Sequence, residues 1–235
     1  MILIRSTIFY LGYVVMTIVM SALFILAFPF LTDRGRHVFA GTWCMLIINW
    51  LRLSCGVQYE ILGLSNIPSQ PAVYLSNHQS SWETILYYRL FFPLSPILKK
   101  ELMKIPFWGW ALRLLRPIAI DRSKPREAGR SMLAQGEQRL KKGQSVIVFP
   151  EGTRSAPGEL RKFSRSGATL AKAAGVPIVP IAQNAGYAWP PKTFRKFPGK
   201  ITVEIGEPIS TSEHSVEELT AKARDWISDH IVRRP

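Results

Sequence analysis

The stretch AVYLSNHQSSWETILYYRLFF, residues 72–92, decides the class of fold. AVYLS is an apolar run of strand length, and TILYYRLFF after Glu83 has the length and spacing of a helix. A strand that passes through a polar turn into a helix is the unit from which α/β sheets are built. His78 sits in that turn. On these residues alone two readings stand. Ser80-Ser-Trp-Glu83 has the spacing of a capping box, in which the Glu83 carboxylate reaches back to the amide of the N-cap. The same turn can equally bring Glu83 to one imidazole nitrogen and leave the other to take a proton from a hydroxyl.

Outward from this stretch the alternation continues: PILKK then FWGWALRLL, PIAID then residues 125–142, SVIVFP then SGATLAKAA, and finally PIVPIA, ITVEIG and a last helix. The pattern predicts a single α/β domain over residues 58–235, a largely parallel sheet flanked by helices. The last helix opens on Ser215-Val-Glu-Glu218, again a capping-box spacing, and Gly175 followed by Pro177 ends a helix ahead of a strand.

Residues 1–57 have a different texture. The chain carries 47% hydrophobic residues together with a formal charge of +14, a combination that points to membrane contact. No charged residue occurs from Ser6 to Thr32, long enough for a helix to cross a hydrocarbon core of about 30 Å. A signal peptide fits less well: the apolar run is too long and no A-x-A cleavage pattern follows. A second uncharged run, Val38 to Leu51, is short for a span and suits an interfacial or partly buried helix. The expectation is therefore an N-terminal, two-helix, membrane-associated segment. Arg34 and Arg36 in its connecting loop favour a cytoplasmic side. Cys44 and Cys55 have neither disulfide-framework nor metal-ligand spacing and read as packing residues.

Three polar stretches follow predicted strands, where ligands bind in open α/β sheets: NHQSSWE, the Asp121-Arg122 pair, and FPEGTRS from Phe149 to Ser155. In FPEGTRS, Gly152 permits close approach of the backbone, Thr153 offers a hydroxyl, and Arg154 a planar fork suited to phosphate oxygens. An ordinary strand-to-loop turn also explains it. Residues 161–200 carry eight basic side chains and no acid, a surface suited to polyanions. Nucleic acid is not the expected partner, because no recognisable nucleic-acid module accompanies the charge. Phe107, Trp108 and Trp110 suit the lining of an apolar tunnel, a membrane interface or core packing.

NHQSSWE, IAIDR at residues 118–122, FPEGTRS and VPIVPIA at residues 176–182 together resemble the four ordered blocks of the glycerolipid acyltransferase superfamily, most of all its bacterial 1-acylglycerol-3-phosphate acyltransferases. The resemblance spans roughly residues 59–208. It implies that His78 is the general base on an acceptor hydroxyl and that Glu83 orients it. It implies that Glu151, Gly152, Thr153 and Arg154 recognise the acceptor phosphate, with Arg122 and either Lys99 or Lys100 as further contacts. Two departures stand out: the family's usual acid is an aspartate, one methylene shorter than Glu83, and Arg116-Pro117 stands where glycines are common.

The implied reaction moves an acyl chain from acyl-CoA or acyl carrier protein to the sn-2 hydroxyl of lysophosphatidic acid. These thioesters are substrates, so no resident cofactor and no metal are expected. The implied setting is a bacterial inner membrane with anionic lipid as partner and the active site on the cytoplasmic side. Rival expectations are acylation of another lysolipid such as a lyso-ornithine lipid, lipid hydrolysis, and non-enzymatic binding of anionic lipid.

Overall fold

The computed structural model describes residues 1–121 and 123–231. Helix α1 (Ile2–Ala27) leads through a 3-10 turn at Phe28–Phe30 into α2 (Asp33–Cys55). Then follow β1 (Val57–Leu62), β2 (Val73–Ser76), α3 (Trp82–Leu90), β3 (Leu94–Lys99), α4 (Trp108–Leu114), β4 (Ile118–Ile120) and α5 (Pro125–Lys141). The chain continues with β5 (Ser145–Val148), α6 (Ser166–Ala174), β6 (Ile178–Gln183), β7 (Gly199–Ile205) and α7 (Val216–His230).

The described strands form one seven-stranded sheet in the order β1-β7-β6-β2-β5-β3-β4. It is parallel except where β7 runs antiparallel to β6, with β1 parallel to β7 at the edge. The alternation of the sequence predicts six of these strands and misses β1. VQYEIL is half-buried with polar residues at Gln58 and Glu60, and it follows directly on an apolar helix, so no apolar run marks it. Glu60 is occupied across the edge pair, meeting Lys200 at 2.6 Å and the Thr202 hydroxyl at 2.9 Å.

Alternate residues of β2 serve opposite faces, as strand geometry requires. Tyr74 joins a core with Trp82, Leu86 and Tyr87 of α3 and Ile47, Ile48 and Leu51 of α2. Val73 and Leu75 join Met132, Leu170 and Leu219 from the helices on the other side. The N-terminal helices are thus one layer of the domain.

Helix α2 is longer than its uncharged run. The Thr32 hydroxyl caps it by accepting from the Gly35 amide at 3.1 Å, Asp33 lies in its first turn, and Gly56 ends it at φ 72°. Capping chemistry therefore extends the expected fourteen-residue segment at both ends. Helix α1 buries Phe9 and Phe24 against its neighbours and exposes Ile4, Ile8, Leu11, Val15, Ile18 and Leu26 along one stripe. Both helices are long and apolar enough to cross a membrane.

Candidate active site

Because β2, β3, β4, β5 and β6 are mutually parallel, their carboxyl ends lie at one edge of the sheet. The turn after β2 carries His78. Its Nδ1 meets Glu83 Oε1 at 2.8 Å, and that oxygen also accepts from the Gln79 amide at 2.9 Å and the Ser80 amide at 2.7 Å. Capping and orienting are therefore done by one atom at once. Only half of a capping box forms: the Ser80 hydroxyl accepts from the Trp82 amide rather than closing on Glu83. Glu83 is fully buried in the first turn of α3, where negative charge is favoured by the helix dipole.

An ionised Glu83 accepts a proton-bearing Nδ1, so the neutral ring presents its lone pair at Nε2. Nε2 has no hydrogen bond among the described residues, and the imidazole keeps 13% of its surface exposed. The ring stacks on Phe149, centroids 4.1 Å apart, which fixes its plane.

The loop after β5 reaches the same turn. Glu151 Oε1 accepts from the His78 amide at 2.8 Å, while its Oε2 accepts from the Ser155 hydroxyl and from the Arg161 amide at 2.9 Å. The Ser155 amide returns a bond to the His78 carbonyl at 2.8 Å. Both Glu151 oxygens are thus spent on holding the loop. Gly152 turns the chain at φ 72° with open space where a β-carbon would stand, so backbone conformation alone demands glycine there. Thr153 and Arg154 are exposed beyond it.

Beside this turn lies an open pocket of about 370 Å³, walled by Tyr10 and Tyr13 of α1, Ser81, Arg154, Trp189 and Lys192. Arg154 is close enough for its charge to act on both tyrosines. His78 does not line it; Ser81, three residues on in the same turn, does. Lys99 and Lys100 are exposed at the end of β3, two strands or about 10 Å from β2. Among the described residues, no hydrogen bond or ion pair joins either to the His78 turn. The charge of Lys100 and two bonds from Ser123 hold the Asp121 carboxyl below its usual range, Ser123 contributing most. Arg122 lies outside the described residues.

Several groups escaped the sequence reading. Asn77 clamps the end of β2 to β6: its amide nitrogen donates to the Gln183 carbonyl at 2.8 Å and its oxygen accepts from the Gln183 amide at 3.0 Å. Asn77 stands inside NHQSSWE, but its partner is far off in the chain. Tyr10 and Tyr13 carried no signal beyond membership of an apolar run.

The basic stretch is also thinner than it reads. Lys196 is buried, 1% exposed, with Nζ donating to the carbonyls of Thr193, Phe194 and Arg195 and lying over the Tyr10 ring at 4.8 Å. Burial pushes its ammonium pKa down to about 8. Lys200 pairs with Glu60 and Arg165 with Glu217. Trp82, 1% exposed and edge-on to Tyr59, is core, whereas Phe107 and Trp110 are exposed on and beside α4.

Comparison with known proteins identifies the family. The Acyltransferase family profile matches residues 58–184, from β1 to the end of β6. The chain is 45% identical over 233 residues to a 1-acyl-sn-glycerol-3-phosphate acyltransferase of Pseudomonas aeruginosa, covering 97% of this chain and 91% of that protein. It is 33% identical to the human 1-acyl-sn-glycerol-3-phosphate acyltransferase alpha over 202 residues, 85% of this chain and 71% of that one. The crystal structure of the 1-acyl-sn-glycerophosphate (LPA) acyltransferase PlsC from Thermotoga maritima superposes with a TM-score of 0.83 at 26% identity, covering 98% of this chain and 94% of that one. With more than half its length matched by the profile and near full-length relatives, the chain belongs to the acyltransferase family.

Proposed function

We propose that this acyltransferase transfers an acyl chain from an acyl thioester, acyl-CoA or acyl carrier protein, to the sn-2 hydroxyl of 1-acylglycerol-3-phosphate, giving phosphatidic acid. The observation that carries the reading is the 2.8 Å contact between His78 Nδ1 and the buried Glu83, with Nε2 unpartnered among the described residues at the carboxyl edge of the sheet. Nε2 accepts the proton of the acceptor hydroxyl as its oxygen forms the new bond to the acyl carbon. Glu83 stabilises the imidazolium that results, and the departing thiolate takes the proton as a thiol. The protein forms no covalent bond to the acyl group, and this chemistry needs no resident cofactor.

Arg154, with Gly152 and Thr153 beside it, receives the acceptor phosphate through charge-assisted hydrogen bonds. Glu151 holds that loop against the His78 backbone, so it positions the phosphate seat and does not touch the phosphate. Lys99 and Lys100 extend the positive rim along the edge, and Arg122 is proposed as a further phosphate contact. Exposed Arg161, Lys162, Lys192 and Arg195 suit an anionic donor or membrane surface.

The setting proposed is the cytoplasmic face of a bacterial inner membrane. Helix α2 lies against α3 from His37, stacked on Tyr88 at 6.0 Å, to buried Leu51. That contact favours a hairpin lying in the interface over one that crosses the bilayer.

Purified protein in detergent, assayed with acyl-CoA and acyl carrier protein against several lysolipids, tests the whole reading. Transfer to lysophosphatidic acid at the highest kcat/KM supports it. Preference for a lyso-ornithine lipid overturns the acceptor, and fatty acid released without transfer points to hydrolysis. Arg154→Ala is expected to raise the KM for lysophosphatidic acid roughly ten-fold or more with a smaller change in kcat; an unchanged KM removes it from the phosphate seat.

A further inference from the structure

At the opposite edge of the sheet the chain builds a second, separate cationic pocket. Arg116 precedes β4 and Gln144 precedes β5, whereas His78 and Glu151 follow parallel strands, so the two places lie at opposite strand ends. The pocket, about 110 Å³, is enclosed by the start of α2, the turn before β4 and the end of α5. Arg36, Arg116, Arg139 and Lys142 line it with His37, against one carboxylate, Asp33. Asp33 is 91% exposed and pairs with Arg36 Nη1 at 2.7 Å, so it neutralises one of the four permanent cations.

The arginines are incompletely satisfied. Arg36 Nη2 reaches the Phe28 carbonyl only at 3.5 Å, and Arg139 Nη2 donates to the Arg116 carbonyl at 2.7 Å. The Nε of both Arg36 and Arg139 is buried with no partner among the described residues. Buried donors without acceptors are rare in folded proteins and call for an account. Arg116 in addition adopts φ 51°, a left-handed backbone that a side-chain-bearing residue enters at a cost. Burial, and after it the charge of the neighbouring Arg116, push the Arg139 guanidinium pKa down.

We propose that this pocket is a second anion site, distinct from the catalytic edge, that takes the phosphate of an anionic membrane phospholipid headgroup. Phosphate supplies the missing acceptors for two guanidinium groups and balances the excess charge. The lipid source is favoured by the surroundings: the pocket lies under the α1–α2 turn, where Phe30 is 88% exposed, and His37 at its rim meets the 43% exposed Phe92 ring edge-on at 5.8 Å. A headgroup held here ties the start of α2 to the end of α5 and so fixes the hairpin against the domain. This assignment of source rests on the membrane setting proposed above.

The test uses the full chain carrying Arg154→Ala, which removes the proposed anion seat at the catalytic edge. It is compared with the same chain further bearing Arg116→Gly and Arg139→Met. Glycine suits the left-handed backbone, and methionine keeps the apolar stem. Two readings are taken: the melting temperature against inorganic phosphate at constant ionic strength, and co-flotation with phosphatidylcholine vesicles with and without phosphatidic acid. Phosphate is expected to raise the melting temperature of the parent and not of the variant. The gain in vesicle binding from phosphatidic acid is expected to fall roughly five-fold or more in the variant, with phosphatidylcholine binding unchanged.

Equal phosphate stabilisation of both proteins overturns the site. Phosphate stabilisation lost in the variant, with an undiminished phosphatidic acid effect, makes free phosphate the occupant and overturns the lipid assignment. If neither protein floats with any vesicle, the membrane setting itself fails, while the melting series still decides whether an anion binds. Should the combined variant not fold, Arg154→Ala with Arg116→Gly alone carries the same comparison.

Discussion

Glu83 Oε1 collects three donors, so its charge and its geometry are separable by a single substitution. Glu83→Gln keeps an oxygen for the Gln79 and Ser80 amides but removes the charge that stabilises an imidazolium. We expect a loss of roughly 10²- to 10⁴-fold in kcat with little change in melting temperature. Activity near wild type would leave Glu83 as a cap alone. Glu83→Asp, with the family's usual acid, is expected to restore part of the loss, because α3 starts at Trp82 in the register that the longer side chain fits. At the same scale, Lys196 makes stability depend on pH. Its folded pKa of about 8 lies below the ordinary value of 10.5, so between those values the unfolded chain binds more protons and stability rises with pH. Below about pH 8 both states are protonated and the folded state bears the full cost of burial. Relative to Lys196→Met, wild-type stability should therefore climb by about 1 to 3 kcal/mol from about pH 7 to about pH 10 in urea melts. A constant difference would mean that the three carbonyls hold the charged form as well as water does.

Among the elements, helix ends were the most legible feature. The capping box of α7 forms as its spacing predicts, Ser215 accepting from the Glu218 amide at 3.2 Å and Glu218 accepting from the Ser215 amide at 2.7 Å. Ser215→Ala is expected to cost about 1 kcal/mol in denaturant melts, with acyl transfer unaffected because the start of α7 lies by the amino-terminal end of β6, where Ile209 pairs with Ile178, away from the His78 turn. Gly136 in α5 looks like a site to improve by helix propensity, since Ala gains about 1 kcal/mol over Gly in an exposed helix. Its missing β-carbon would meet Leu170 of α6 at 2.7 Å, and Leu170 is fully buried. Gly136→Ala should therefore destabilise, by about 1 to 2 kcal/mol. Helix–helix contact, a tertiary property, reverses the sign that propensity predicts. The edge strand β1 was illegible for a related reason: half-buried strands with polar outward residues carry a weak apolar signal, and this one abuts a strong helical one.

For the whole molecule, the N-terminal helices act twice. Their inner faces close the core over α3 and supply Tyr10 and Tyr13 to the pocket, tied down by Trp50 Nε1 donating to the Phe9 carbonyl at 3.0 Å and by the Lys196 amide donating to the Ser6 hydroxyl at 2.9 Å. Among the described residues, the outer stripe of α1 has no partner. Leu11→Lys and Ile18→Lys, at positions 64% and 43% exposed, should leave the melting temperature nearly unchanged. Vesicle association should fall roughly ten-fold or more, since each removes about 1.5 to 3 kcal/mol of apolar burial in lipid. Binding that survives both changes would assign the stripe to something other than a membrane.

The sequence by itself determined what is local: strand and helix alternation, the caps at Ser215 and Gly175, an apolar front end, and a histidine and glutamate within one turn. These depend on neighbours two to five positions apart, so pattern alone reports them. Tertiary structure decided what joins distant residues. Glu151 holds the His78 amide across 73 positions, Asn77 clasps Gln183 across 106, and Lys196 meets Ser6 across 190. It gave Glu151 three donors that brace its loop, and made Lys196 a buried cation where the sequence counts it in a basic surface. No periodicity records such pairings, because the sheet order that creates them is set by packing on both faces at once.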